Sequence, residues 1–402
     1  MAKEQLFQSY LSTAASLVKN FRGTPVFPTY LKGYFALHKK FGSRDRKYIS
    51  QLCYSYFRCP PLGLEKTISW FRELDLAERM LVALFLCSNS EDALLLQLKP
   101  EWNKKVGLPL VEKLDLAGNP FTPAQIFPWY SALSSGIDPA SFTAAQLIQP
   151  DLFIRVRPGF RESVESKLKA ARIGFLAISD SCYSISNATD ISKVLRINAE
   201  VIIQDYSSQS IADLFQLISQ RTSYSGKGPH IWDCCAASGG KSLLAFDWFE
   251  KIQLTVSDVR PQILENLKKR FAEAGIKNYH AFLSDLTRGP DFAPGQQYDL
   301  VICDVPCSGS GTWGRTPEQK YFFEPGEISY YTERQQKILK TVIPAVKKRG
   351  YLLYITCSVF ARENEEMVDF ITSASGLCLI QQQLLKGYDR KADTLFAALF
   401  TA

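Results

Sequence analysis

Histidine is almost missing from this chain: among 402 residues there are three, His38, His230 and His280. No C-x-x-C occurs, and the nearest approach, Cys303 with Cys307, has no second pair. Tetrahedral zinc needs four Cys or His ligands, usually in two close pairs, so no metal site is expected. Ten cysteines are too sparse for a disulfide scaffold in a chain of this length, and free thiols survive best in a reducing compartment. No uninterrupted apolar run reaches the length of about 20 residues that crosses a bilayer. The start, "MAKEQLFQSYLSTAASLVKNF", carries charged and polar residues where a signal peptide is apolar. A soluble, cytoplasmic protein is expected. At 46% hydrophobic and 22% charged, the chain is neither disordered nor fibrous and can form two or three cored domains.

An extreme charge is absent too. Lys and Arg number 47 against 40 Asp and Glu, a net +7, which suits an anionic partner without demanding one. The basic residues cluster in "HKKFGSRDRK" (38–47), "RVRPGFR" (155–161) and "KKR" (347–349). Two of these runs carry aromatics, as a surface that grips phosphates and stacks bases would need; the bland reading of each is a solvated face.

What is present divides the chain in three. Residues 1 to about 115 read as helical, because "QLFQSYLSTAASLVKNF", "DRKYISQLCYSYFR", "LEKTISWFREL" and "ERMLVALFLCS" repeat apolar residues at three-and-four spacing, and the domain they open is expected to span residues 1–145. Within them "AGNPFTPAQIFPWYSALSSGIDPA" (117–140) breaks any long helix and reads as a connection over the surface. Residues 146–225 form a small α/β module: strand "LFIRVR", helix "ESVESKLKAARIG", then strands around "SCYSIS" and "EVIIQD". From 226 to 402, apolar runs alternate with amphipathic helices: "HIWDC", "QLTVSD", "YHAFLSD", "DLVICD" and "GYLLYITCS". Such alternation means crossover connections and a parallel, doubly wound sheet, whose ligands sit at the carboxyl ends of the strands. Asp233, Asp258, Asp285, Asp304 and Cys357 all fall at such ends.

The loop "DCCAASGGKS" (233–242) is made of small residues and lets a ligand lie against backbone amides at a helix start. It is neither a Walker loop nor a dinucleotide fingerprint. Asp258 ends the second strand, where a carboxylate can take both hydroxyls of a ribose; it can equally cap the helix that begins at Pro261. A ribose anchor and a bare loop with no phosphate clamp suit a nucleoside such as S-adenosylmethionine.

At this point the residues resemble a family. "CAASGGKS", "SDVRPQILENLKKR", "YDLVICDVPCSGSGTWGRTPE" and "YITCSVFARENEEMV" are similar, in order, to the motifs of the RsmB/NSUN-type (Sun/Fmu) RNA cytosine-5 methyltransferases. Upstream, "VIIQDYSSQSIADLF" and "DLFIRVRPG" resemble the segments before that family's catalytic sheet, and "FGSRDRKYISQLCYSYFRC" (41–59) resembles the NusB-like helical domain of its bacterial rRNA members. The pairing of a Pro-Cys-Ser with a Thr-Cys-Ser is the specific part. The resemblance implies a Rossmann-like methyltransferase domain (226–402), preceded by the small α/β module (146–225) and an all-α, NusB-like, RNA-binding domain (1–145). Two departures stand out: Ser238 replaces the usual proline of the loop, which loses a fixed dihedral, and Arg157 replaces the usual Asn of the pre-catalytic strand.

The resemblance implies S-adenosylmethionine as cofactor, held by Cys235, Ala236, Ala237, Ser238, Gly239, Gly240 and Lys241, with Asp258 on the ribose, Asp285 near the adenine and Asp304 where cofactor and base meet; Arg260 reads either as a brace of the second-strand loop or as a surface charge. It assigns Cys357 as nucleophile, Cys307 as the group that assists release, Asp304 as partner of the cytosine edge and Lys241 as a cation in the same pocket. The two thiols answer a chemical need: a thiolate must add to carbon 6 before carbon 5 can take a methyl group, and a base must then remove the carbon 5 proton. Cys53, Cys59, Cys87, Cys182 and Cys378 are read as small buried hydrophobes. The expected partner is RNA, rRNA ahead of tRNA, with an unstacked cytosine, and the expected state is a monomer. A DNA-type enzyme would have no use for the second Cys-Ser pair, and an amino-group methyltransferase no use for a thiol. A tRNA enzyme, or an idle RNA-binding assembly factor keeping the fold, remain the alternatives.

Overall fold

The computed structural model describes residues 2–64, 67–68, 72–224, 226–289 and 295–402. It divides into two compact units, one of residues 1–131, 138–149 and 313–325, the other of 132–137, 150–312 and 326–402.

The first unit is helical, as its apolar spacing requires. Helices Ala2–Asn20, Phe27–Leu37, Ser43–Arg58 and Leu76–Cys87 turn Leu11, Leu17, Phe27, Leu52, Phe57 and Leu84 into one core. Asp75 caps the fourth of these by accepting the Glu78 amide at 2.8 Å. Of the helix expected over "LEKTISWFREL" (64–74), residues 65, 66 and 69–71 lie outside the described residues. The 313–325 segment belongs to this unit although it lies between two strands of the large sheet: Tyr321 joins the helical core, Tyr56 and Tyr321 hydroxyls lie 3.1 Å apart, and Lys320 Nζ donates to Arg58 O at 2.6 Å. The stretch 117–140 runs over the surface with only short helical turns, but it is anchored inside. Ile126 and Phe127 are fully buried and Phe121 nearly so, because the aromatics among its prolines serve as core.

The second unit contains both sheets. Strands β1 (Leu152–Val156), β2 (Phe175–Ala177), β3 (Cys182–Ile185) and β4 (Val201–Ile203) pair in the antiparallel order β2-β3-β1-β4. The large sheet holds β5 (His230–Asp233), β6 (Gln253–Asp258), β7 (Tyr279–Leu283), β8 (Tyr298–Asp304), β9 (Val346–Thr356), β10 (Cys378–Leu385) and β11 (Leu395–Thr401), in the order β10-β11-β9-β8-β5-β6-β7. Strands β5 to β9 are parallel, as the alternation with helices Gly240–Trp248, Pro261–Glu273 and Gly326–Val342 requires. The central strands are covered on both faces, so they read as continuous apolar runs: Leu300 and Ile302 of β8 enter one core, Val301 and Cys303 the other. The sheet is not parallel throughout. Strands β10 and β11 pair antiparallel, and β11 pairs antiparallel to β9. Cys378, expected inside, is exposed on β10, because an edge strand has only one neighbour. No helix among the described residues is long and apolar enough to cross a membrane.

Candidate active site

Strand β5 lies between β8 and β6, so the connection leaving β5 runs to β6 and that leaving β8 runs the other way to β9, opening a crevice at the carboxyl ends. A pocket of about 380 Å³ lies there, within the range of about 300–1,000 Å³ typical of small-molecule sites. Around it stand Cys235, Ala237, Asp258, Arg260, Asp285, Asp304, Cys307 and Cys357, with Val259, Leu286, Pro306 and Ile338 as apolar walls.

On one side the loop after β5 folds back on β6. The Ala237 amide donates to Asp258 Oδ2 at 2.9 Å and the Ala236 amide to Ser257 O at 2.9 Å. Gly239 has φ +81°, and a Cβ there would lie 2.6 Å from the Phe271 ring, so only glycine fits this turn. The Arg260 amide and Nε donate to Asp258 Oδ1 at 3.0 and 2.9 Å. The carboxylate thus takes the amide and the guanidinium of Arg260, which is itself the N-cap of the helix from Pro261 without a side-chain cap bond, so Asp258 does not cap that helix. Burial raises its pKa, but the Arg260 and Ala237 donors outweigh that and leave it below the usual range. Asp285 accepts from the Thr287 hydroxyl at 2.6 Å, the first cause of its lowered pKa. Both carboxylates are therefore charged acceptors, the chemistry a ribose and an adenine amine need, beside a bare loop and apolar walls. This set of acceptors fits S-adenosylmethionine.

On the other side, register brings the two cysteines together. Asp304 of β8 pairs with Ile355 of β9, so residues three and two positions further on meet above the same pair of strand ends. Cys307 Sγ and Cys357 Sγ are 3.2 Å apart. Their contact, ahead of burial, raises the Cys307 pKa well above that of a free thiol, so Cys307 keeps its proton. Lys241 Nζ donates to Asp304 Oδ2 at 2.9 Å. Burial would lower the Lys241 pKa, but Asp304 and then Asp233 reverse the sign, leaving a charged ammonium beside the thiols. Asp233 itself is buried, accepts from the Ser242 hydroxyl at 2.6 Å, and is pushed up to about 7, by burial first.

Not every expected residue faces the pocket. Ala236 is buried beneath it and Gly239 and Gly240 form the turn. Ser238 is turned outward, its carbonyl and hydroxyl accepting from Arg270 Nη1 at 2.8 and 2.9 Å. An external hydrogen-bonding partner therefore takes the place of the lost proline ring. Arg157 is committed internally: it pairs with Asp247 at 2.7 Å and donates to Ala274 O at 2.7 Å, while Arg155 pairs with the same Asp247 at 2.6 Å. The 155–161 cluster is therefore mostly structural rather than a phosphate-gripping face. Sequence reasoning missed the support beneath the cysteines, where Glu363, Gln335, Ser308 and Ser358 form one buried network. The signal available was that each cysteine is followed by serine.

Residues 225–390 match the family model described as 16S rRNA methyltransferase RsmB/F. A Bacillus subtilis protein named "Probable ribosomal RNA small subunit methyltransferase B" is 33% identical over 172 residues, 42% of this chain and 37% of the relative. The Photorhabdus laumondii protein named ribosomal RNA small subunit methyltransferase B is 31% identical over 172 residues, again 42% and 37%. The chain thus matches little more than a third of the length of these curated relatives. Among solved structures, PH0851 superposes with TM-score 0.67 at 18% identity, covering 92% of this chain and 93% of its own. A methyltransferase homologue from Pyrococcus horikoshii does so with TM-score 0.57 at 16% identity, covering 72% and 97%. At these identities the structural likeness concerns the fold.

Proposed function

We propose, from the premise that residues 225–390 are an RsmB/F-type methyltransferase domain, that the protein methylates carbon 5 of a cytosine in RNA through a covalent adduct. S-adenosylmethionine supplies the methyl group. Small-subunit rRNA is the favoured substrate, because that is what the names of the curated relatives specify. The observation that carries the reading is the pair of thiols 3.2 Å apart at neighbouring strand ends, in the pocket that also holds Asp258 and Asp304, with Lys241 bonded to Asp304 from behind the lining.

Cys357 adds as thiolate to carbon 6, and the electron pair moves to carbon 5, which takes the methyl group. Lys241 and Asp304 face the charge that develops on the ring edge. Two thiols in contact do not both ionise readily, so Cys307 is protonated at rest. Once Cys357 Sγ is bound to carbon, the contact that chiefly raised the Cys307 pKa is gone. Cys307 then loses its proton to solvent through the pocket mouth and takes the proton from carbon 5. The carbon 6–sulfur bond breaks and the Cys357 thiolate returns. One proton is released per turnover, as the reaction requires. A cytosine in a duplex cannot reach a half-buried thiol without unstacking, so a loop, an end or RNA opened during assembly is the expected target.

The test is transfer of a labelled methyl group to unmodified small-subunit rRNA, with tRNA and a perfectly paired stem as comparisons. Cofactor-dependent 5-methylcytosine in rRNA, with little in the stem, is expected. Transfer confined to tRNA would change the substrate, and none at all in protein that binds the cofactor would leave an idle RNA-binding factor.

A further inference from the structure

Ser308 follows Cys307 and Ser358 follows Cys357, and both hydroxyls donate to the same oxygen, Glu363 Oε2, at 2.5 Å each. The other oxygen, Oε1, accepts from the Ser308 amide at 2.9 Å and from Gln335 Nε2 at 3.0 Å. That Gln335 amide also reaches the carbonyl of Pro306, immediately before Cys307, at 3.0 Å. One carboxylate is thus bonded to the chain on the far side of each cysteine. The neighbouring Asn364, which bonds Thr356 Oγ1 at 2.6 Å and Ser358 O at 3.0 Å, braces only the Cys357 strand end. Glu363 is 0% exposed and meets neither substrate nor solvent. A buried carboxylate is expensive to desolvate, and apolar groups of the same volume in place of it and all its donors together can be as stabilising. Four donors drawn from both loops and the covering helix set the position of the groups that carry them.

We propose that Glu363 is a positioning residue that registers the two cysteine loops against each other and so fixes the thiol–thiol separation on which release of the adduct depends. The proposal rests on the roles given above to Cys357 and Cys307, but the separation can be measured without them. Diamide joins neighbouring thiols in a disulfide, itself taking up their two electrons and two protons, and the rate reports how often the sulfurs meet. The native protein should form the Cys307–Cys357 bond quickly, with Cys307→Ser as the blank. In Glu363→Gln, whose amide points protons at groups that already donate, oxidation should slow by about ten-fold, the scale of a small misplacement of reacting atoms, while cofactor affinity is kept. The double variant Ser308→Ala/Ser358→Ala removes the same two bonds without touching Glu363 and should slow it comparably, which covers the case in which Glu363→Gln does not fold. Oxidation within two-fold of native in the folded variants would overturn the proposal. The denaturant-resistant RNA adduct should also live longer in both variants, which a loss of stability alone would not produce. Slower oxidation with an unchanged adduct lifetime would leave the positioning role standing and sink the assignment of release to Cys307.

Discussion

On the cofactor side of the pocket, Asp258 and Asp285 are held chiefly by partners two residues away, Arg260 and Thr287, with one further bond to Asp258 from the Ala237 amide 21 residues before it. On the cysteine side, Cys307 and Cys357 rest on bonds that span 28 and 55 residues, from Gln335 and Ser308 to Glu363. The first side has an exposed guanidinium and an open loop, the second a sealed polar network. Binding a flexible nucleoside tolerates adjustment, and local turns suffice for it. The proposed chemistry, in which one sulfur adds to a ring carbon and the other takes a proton from its neighbour, does not, and it calls for parts fixed by the whole sheet.

This contrast can be broken first at Lys241, whose ammonium links the two sides through Asp304. Lys241→Met removes the cation and leaves a carboxylate unpaired beside the thiols, so single-turnover methyl transfer should fall by about 100-fold or more while cofactor binding changes far less. Equal losses in both would make Lys241 a part of the cofactor site alone. Asp258→Ala should act the opposite way: cofactor affinity measured by calorimetry falls roughly ten-fold to a hundred-fold, or about 1.5–3 kcal/mol, and RNA binding stays. Unchanged affinity would remove Asp258 from the site. The smallest effect is expected at Ser238. Its hydroxyl bond to Arg270 is exposed and the carbonyl bond remains, so Ser238→Ala should shift cofactor affinity by less than about 1 kcal/mol, or five-fold. A larger shift would show that the loop depends on that single contact.

The same contrast explains what could be read from the chain. Asp258 and the loop ending at Lys241 were legible because a strand end followed by small residues and a helix is a local pattern. The cysteines were legible as a pair through their repeated flanking residues, but their closeness depends on the register of β8 with β9, which no short window contains. Glu363 sits in "ARENEE", which by composition reads as a solvated acidic run, and only the fold shows it sealed. The antiparallel β10–β11 hairpin went unread for a related reason: β11, buried on both faces, carries no alternation to mark it. Arg155 and Arg157 looked like a phosphate-binding cluster until Asp247, some ninety residues on, was placed between them.

Denaturing electrophoresis of protein incubated with RNA and cofactor reads directly the division of labour proposed for two sulfurs 3.2 Å apart. Cys357→Ala should give neither turnover nor a protein–RNA band. Cys307→Ala should attack, transfer the methyl group and then stall, leaving a slower, denaturant-resistant band that needs the cofactor and vanishes when Cys357 is also replaced. A band from Cys357→Ala and none from Cys307→Ala would reverse the roles, and methylation by both single variants without any band would contradict the covalent mechanism itself.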